Sequence, residues 1–347
     1  MQFELGAREA STDPEQRPVR ISRLVLVSVL IAFSPLFASA QGRAPLLFVS
    51  NEGSRDISVV NTATNRVVAT IPVGVRPRGI QVSPDGRRVY VALSDEHPNR
   101  AGGRDAIAVI DVATRRVVAR YQGGTDPEQF GVTPDGQRLY ASNEDAGTAS
   151  ATDLRTGHVL ATLVVGIEPE GVAVSPDGRW VYVTAETSNT VSVIDARANR
   201  VVGNLLADAR PRAAAFSPDG ARAYVTNEIS GTLTVIDARR HQVVASVEME
   251  RGEGKPVGVA VSPDGRRVYV ANGATGTVVV VDARTLRVVG RVRVGRRPWG
   301  IAVSRDGRRV YTANGISNDV SVIDAATSRV VATVRVGQRP WGVAVGF

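Results

Sequence analysis

Cysteine is missing from all 347 residues of the chain. That excludes disulfide scaffolds, thiolate metal sites, cysteine nucleophiles, CxxCH haem attachment and lipoprotein anchoring. Histidine is nearly as scarce: only His97, His158 and His241 occur, which argues against a multi-histidine metal site. Lysine occurs once, at Lys255, so arginine carries nearly all of the cationic side of a +8 formal charge. A positive balance admits anionic partners without identifying one. No segment repeats its apolar residues with a helical period. Nor does any GxSxG elbow, Walker loop, HExxH helix or EF-hand loop appear.

What is present suits a globular chain with a sizeable core: 43% hydrophobic and 22% charged residues. The first forty residues read as an address. Arg17, Arg20 and Arg23 precede the apolar run Leu24 to Phe37, and Ala38-Ser39-Ala40 offers small residues for cleavage. This is the order of a secretory signal peptide. The run has 14 residues, whereas a membrane-spanning helix needs roughly 20. The expectation is a signal peptide over 1–40, cleavage near Ala40, and a periplasmic or secreted product that does not span a membrane. An uncleaved anchor is the competing reading.

The rest is repetitive. An aromatic anchor recurs at Phe48, Tyr90, Tyr140, Tyr182, Tyr224, Tyr269 and Tyr311, at intervals of 42, 50, 42, 42, 45 and 42 residues. A turn of the type Ser83-Pro84-Asp85-Gly86 recurs, as does a V-x-V-I-D element. Each unit therefore reads as four short strands separated by turns. Four strands per ~40–45 residues is the blade of a β-propeller. The fold expected is all-β: seven four-stranded blades over 41–347. The chain enters at Leu46 on a second strand and ends with Pro340–Phe347, a lone first strand. Residues 46–74 plus 340–347 should form the first blade and close the ring. The others fall near 77–124, 127–166, 169–208, 211–253, 256–295 and 298–337.

Tyr224-Val225-Thr226-Asn227, with near copies at Tyr269 and Phe48, resembles the YVTN-repeat β-propeller family. More narrowly, Arg76-Pro77-Arg78-Gly79, Asp126-Pro127-Glu128-Gln129-Phe130, Glu168-Pro169-Glu170-Gly171 and Pro340-Trp341-Gly342-Val343 resemble the PQQ-dependent catabolism-associated β-propeller proteins. That resemblance implies a secreted accessory of quinoprotein alcohol oxidation, with no catalytic residues to carry over. The long N-terminus and an insert at Ser94–Arg104, containing His97, depart from it.

In a propeller the first strand of each blade lines the central channel. It opens here on x-Pro-x-Gly in most units. The residues flanking the proline are Arg76/Arg78, Asp126/Glu128, Glu168/Glu170, Arg210/Arg212, Lys255/Val257, Arg297/Trp299 and Arg339/Trp341. Two adjacent blades are acidic and five basic. Sectors of one sign at a channel mouth read as an electrostatic recognition surface; a merely solvated rim is the alternative. Glu52, Glu144, Glu186 and Glu228 reach the same face, either to pair with neighbouring arginines or to meet a ligand. Two insertions, Ser94–Arg104 and Met249–Lys255, project there. On the opposite face twenty-one arginines meet twelve repeat aspartates.

The expected function is binding without catalysis. PQQ, a flat tricarboxylate, is the candidate ligand. Arg76, Arg78, Arg210, Arg212, Arg297 and Arg339 are placed to hold its carboxylates, and Trp299 or Trp341 to stack on it. A periplasmic quinoprotein dehydrogenase or cytochrome docked on the mouth is the competing partner. A lactonase-like hydrolase with a channel metal, using Asp126, Glu128, Glu168 and Glu170, is an enzymatic alternative, and a general interaction scaffold another. No dedicated metal site and no nucleic-acid partner are expected, and the protein should be a monomer.

Overall fold

The computed structural model describes residues 45–95, 104–250 and 253–346. The expected signal peptide and its expected cleavage point near Ala40, together with His97 and most of the Ser94–Arg104 insert, lie outside the described residues. Everything described is strand and turn: 28 strands form seven four-stranded antiparallel sheets. The first blade comprises β1 (Leu46–Asn51), β2 (Asp56–Asn61), β3 (Arg66–Pro72) and β28 (Pro340–Val345). Its order is β28-β1-β2-β3, so the last strand of the chain completes the first sheet. Val49 pairs with Val343 across that join.

The inner strands are β4 (Arg76–Val82), β8 (Pro127–Val132), β12 (Pro169–Val174), β16 (Pro211–Phe216), β20 (Pro256–Val261), β24 (Pro298–Val303) and β28. Glycine after the x-Pro-x signature lets neighbouring inner strands approach backbone to backbone. A Cβ at Gly258 would fall 2.2 Å from the Trp299 carbonyl oxygen, and one at Gly171 would fall 2.3 Å from that of Arg212.

The repeat motif explains itself once folded. Each aromatic anchor is buried between blades. Tyr140 Oη donates to Asn199 Oδ1 of the next blade at 2.7 Å. In four blades the Ser/Thr two residues after the anchor bonds an inner strand of the following blade. Ser50 Oγ donates to Arg78 O at 2.6 Å and Thr226 Oγ1 to Val257 O at 2.6 Å. The motif asparagine ties its own blade: Asn227 Nδ2 donates to Thr234 Oγ at 2.8 Å. Each repeat thus meets its polar groups partly within its own blade and partly against the next one.

Candidate functional site

Three positions per blade converge on the channel mouth, and backbone bonds fix them together. The residue after the motif donates its N–H to the carbonyl of the residue before the proline. This joins Glu52 to Arg339 (3.0 Å), Glu144 to Asp126 (3.2 Å), Glu186 to Glu168 (2.9 Å), Glu228 to Arg210 (2.8 Å) and Gly315 to Arg297 (2.9 Å). The residue before proline is held in the left-handed region at Asp126, Glu168, Arg210, Arg297 and Arg339, with φ between 46° and 62°. For a bulky residue that conformation costs about 1–2 kcal/mol. Side-chain acceptors on neighbouring loops secure it: Asn318 Oδ1 takes the Arg339 N–H and Asn189 Oδ1 the Arg210 N–H, each at 2.8 Å.

The residue after proline faces the channel. Around the ring these are Arg78, Glu128, Glu170, Arg212, Val257, Trp299 and Trp341. They do not form sectors of one sign; the acidic and basic members interlock. Arg78 pairs with Glu128 and lies 3.8 Å from Glu52 and 3.9 Å from Glu144. Arg212 meets Glu170 at 2.7 Å, pairs with Glu186 and reaches Glu228 at 3.6 Å. Above them Arg76 contacts Glu52 at 3.7 Å and Asp126 at 3.5 Å. Arg210 contacts Glu186 at 2.7 Å and Glu228 at 3.3 Å. Four of the six arginines expected to hold a ligand are therefore already engaged. The post-motif glutamates supply most of their partners, because the backbone bonds above place each one between successive inner strands. Glu168 is exposed, accepts from Thr187 Oγ1, and does not line the cavity.

Crowding carboxyls into this zipper shifts their protonation. Burial, reinforced by the Asp126 charge, pushes Glu144 up to about 7. Burial raises Glu170 well above the usual carboxylate range, and its bond to Glu186 adds to the shift. Burial also lowers the Arg78 guanidinium, helped by its neighbour Arg76. Arg212 goes the other way: burial opposes its charge, but Glu170 and Glu186 outweigh that and raise it.

The other side of the mouth is different in kind. Gly273 and Gly315 stand where four other blades carry glutamate. Trp299 and Trp341 lie with ring centroids 6.0 Å apart, tilted by 44°. The Arg297 guanidinium sits 4.8 Å from the Trp299 centroid and Arg212 lies 5.0 Å from it, linking the two halves. Arg297 pairs with no carboxylate among the described residues, and Arg339 only with Glu52 at 3.5 Å while 72% exposed. Trp299 Nε1 is buried without a hydrogen-bond acceptor among them. A cavity of about 500 Å3 opens between this wall and Glu52, Glu144 and Glu170. A second hollow of about 520 Å3, lined by Lys255, Gly273 and Trp299, adjoins it.

Asp126, Glu128 and Glu144 bring carboxylate oxygens within 4.8 Å of one another. Guanidinium groups already face them: Arg78 pairs with Glu128 and lies 3.9 Å from Glu144, and Arg76 lies 3.5 Å from Asp126. The zipper thus supplies its own cation. The Met249–Lys255 insertion does not simply project: Met249 is fully buried, and Glu250 accepts from Thr277 Oγ1 at 2.7 Å. His241 lies in a turn of the arginine face and contacts Tyr182 Oη at 2.7 Å. No helix among the described residues is long and apolar enough to cross a membrane.

Two family models match parts of the chain. One, described as "Lactonase, 7-bladed beta-propeller", covers residues 201–345; the other, "Choice-of-anchor I domain", covers 37–205. No curated protein matches. Among solved structures, hydrazine synthase of Kuenenia stuttgartiensis is similar at 24% identity and a TM-score of 0.72, over 81% of this chain and 92% of that one. A functionally unknown protein of Desulfotomaculum acetoxidans is similar at 20% identity and a TM-score of 0.75, over 87% and 99%. Dihydro-heme d1 dehydrogenase NirN is similar at 17% identity and a TM-score of 0.63, over 86% and 74%. At these identities the likeness is one of propeller fold.

Proposed function

We propose that this is an extracytoplasmic binding propeller which holds a planar, carboxylated ligand at its channel mouth, as an accessory of quinoprotein alcohol oxidation. One observation carries the reading. The wall formed by Trp299, Trp341, Arg297 and Arg339 keeps aromatic faces and guanidinium charge available, while Arg76, Arg78, Arg210 and Arg212 are committed to carboxylates. A cavity of about 500 Å3 falls within the range for small-molecule sites, about 300–1,000 Å3. The buried Trp299 N–H supplies a donor that still needs an acceptor. PQQ, with carboxylates on a flat ring system, is the ligand to test. Arg297 and Arg339, rather than all six arginines, would hold it. One structural neighbour is named a dehydrogenase, which suits an oxidative setting.

Titration with PQQ should quench tryptophan fluorescence saturably. The Trp299→Phe/Trp341→Phe variant, which retains Trp180, sets the inner-filter baseline. Quenching no greater than that baseline sinks the ligand and shifts weight to a protein docked on the mouth.

A second reading has its own support. Glu144, poised at about 7, borders the cavity, and a poised carboxyl is what a general base for ring-opening of a lactone requires. The partial match to the lactonase model agrees. Lactone hydrolysis that rises with pH through about 7 and disappears in Glu144→Gln would establish it.

A further inference from the structure

The face opposite the mouth holds the surplus charge of the chain. Its twelve aspartates are folded into their own turns. Ser83 Oγ donates to Asp85 at 2.6 Å and Arg87 N at 3.0 Å. Thr114 N and Oγ1 donate to Asp111 at 2.8 and 2.9 Å. The turns are also joined: Val112 N donates to Arg87 O at 3.0 Å, and a Cβ at Gly178 would fall 3.1 Å from Pro134 of the preceding blade. The result is a continuous platform on which arginines outnumber aspartates twenty-one to twelve.

Some of these arginines pair, as Arg267 does with Asp282 at 3.2 Å. Arg66, Arg116, Arg287 and Arg329 are exposed and pair with no carboxylate among the described residues. Each opens the outermost strand of its blade and is followed by exposed valine: Val68 (41%), Val118 (52%), Val289 (52%) and Val331 (52%). Charge and apolar side chains therefore alternate around the rim at one level. Pro45, the first described residue, belongs to this face, since its carbonyl accepts from Thr62 N at 3.2 Å in the first blade's turn.

We propose that the arginine face docks on an anionic phospholipid bilayer. A partner protein of defined shape would be met by single-copy features. This face instead repeats arginine beside valine from blade to blade, which matches a surface of uniform, laterally repeated headgroup charge over an apolar interior. The mouth then faces away from the membrane.

The test is co-sedimentation of the full chain with vesicles of phosphatidylcholine alone or with about one-third phosphatidylglycerol. The expected result is partition at least about ten-fold stronger onto the anionic vesicles at about 0.1 M salt, with the excess lost at about 0.5 M. The excess should also be lost in Arg66→Gln/Arg116→Gln/Arg287→Gln/Arg329→Gln. Equal partition onto both vesicles overturns the proposal, as does binding to polyglutamate with none to vesicles. A second readout does not depend on the quadruple variant folding. Brominated phosphatidylglycerol should quench Trp180, beside Arg179 at 4.7 Å, in the Trp299→Phe/Trp341→Phe background. It should leave the mouth tryptophans bright in Trp180→Phe. The reverse pattern places the membrane on the wrong face and overturns the proposal.

Discussion

The Arg212 guanidinium meets the Glu170 carboxyl at 2.7 Å with only 9% and 3% of the two side chains exposed. A buried ion pair of this kind is weak evidence for stability, but breaking one side of it is costly. Arg212→Met should destabilise the ring by about 3–5 kcal/mol, because Glu186 and Glu228 lose their shared cation and the buried Glu170 carboxyl loses its guanidinium neighbour. Arg212→Met/Glu170→Met should recover part of that loss. Urea unfolding of the two variants checks both statements.

Protonation of the zipper sets a pH dependence with two signs. Glu144 and Glu170 have raised pKa values, so they bind protons more tightly in the folded state. Their contribution is complete below the unfolded value, about 4.3, and is lost as pH rises through about 7 for Glu144. The turn aspartates are opposite. Hydrogen bonds such as Ser83 to Asp85 and Thr114 N to Asp111 lower their pKa values, so their contribution is lost as pH falls below about 3.9. Thermal stability should peak in mildly acidic solution. In Glu144→Gln the decline toward neutral pH should shrink while the acid limb is unchanged.

Backbone contact between inner strands predicts a steep glycine effect. Gly258→Ala would set a Cβ 2.2 Å from a backbone oxygen that cannot swing aside. Overpacking of this kind costs about 1–3 kcal/mol or more. Gly203→Ala, where a Cβ meets nothing within 4 Å, should be close to neutral. Comparing melting temperatures of the two variants tests whether the inner ring is as tight as described.

Much of this was legible in the sequence, and the reason is repetition. The spacing of Tyr182, Tyr224 and Tyr311 and the unpaired Pro340–Phe347 segment imply seven blades and the closure of β28 on β1. The residues flanking each proline could be assigned to the mouth because one register serves all blades. What repetition hides is how blades meet. Glu52 belongs to the first blade yet contacts Arg76 and Arg78 of the second and Arg339 at the end of the chain. Partners so far apart in sequence leave no local pattern, so the zipper looked like separate sectors of charge. The left-handed backbone at Asp126, whose N–H is taken by Asp105 of the preceding blade, likewise depends on a contact across blades. One signal was available and overlooked: Gly273 and Gly315 stand where Glu52, Glu144, Glu186 and Glu228 stand elsewhere, marking the open side of the mouth.

The division of the mouth into a committed half and an open half is the centre of this account, and calorimetric titration with PQQ tests it most directly. The prediction is micromolar binding that weakens at least about ten-fold in Arg297→Gln/Arg339→Gln, equivalent to about 1.4 kcal/mol. Arg76→Gln/Arg210→Gln should alter stability while leaving affinity within about three-fold. Equal loss of affinity in both double variants, or binding indifferent to Arg297 and Arg339, would contradict the division.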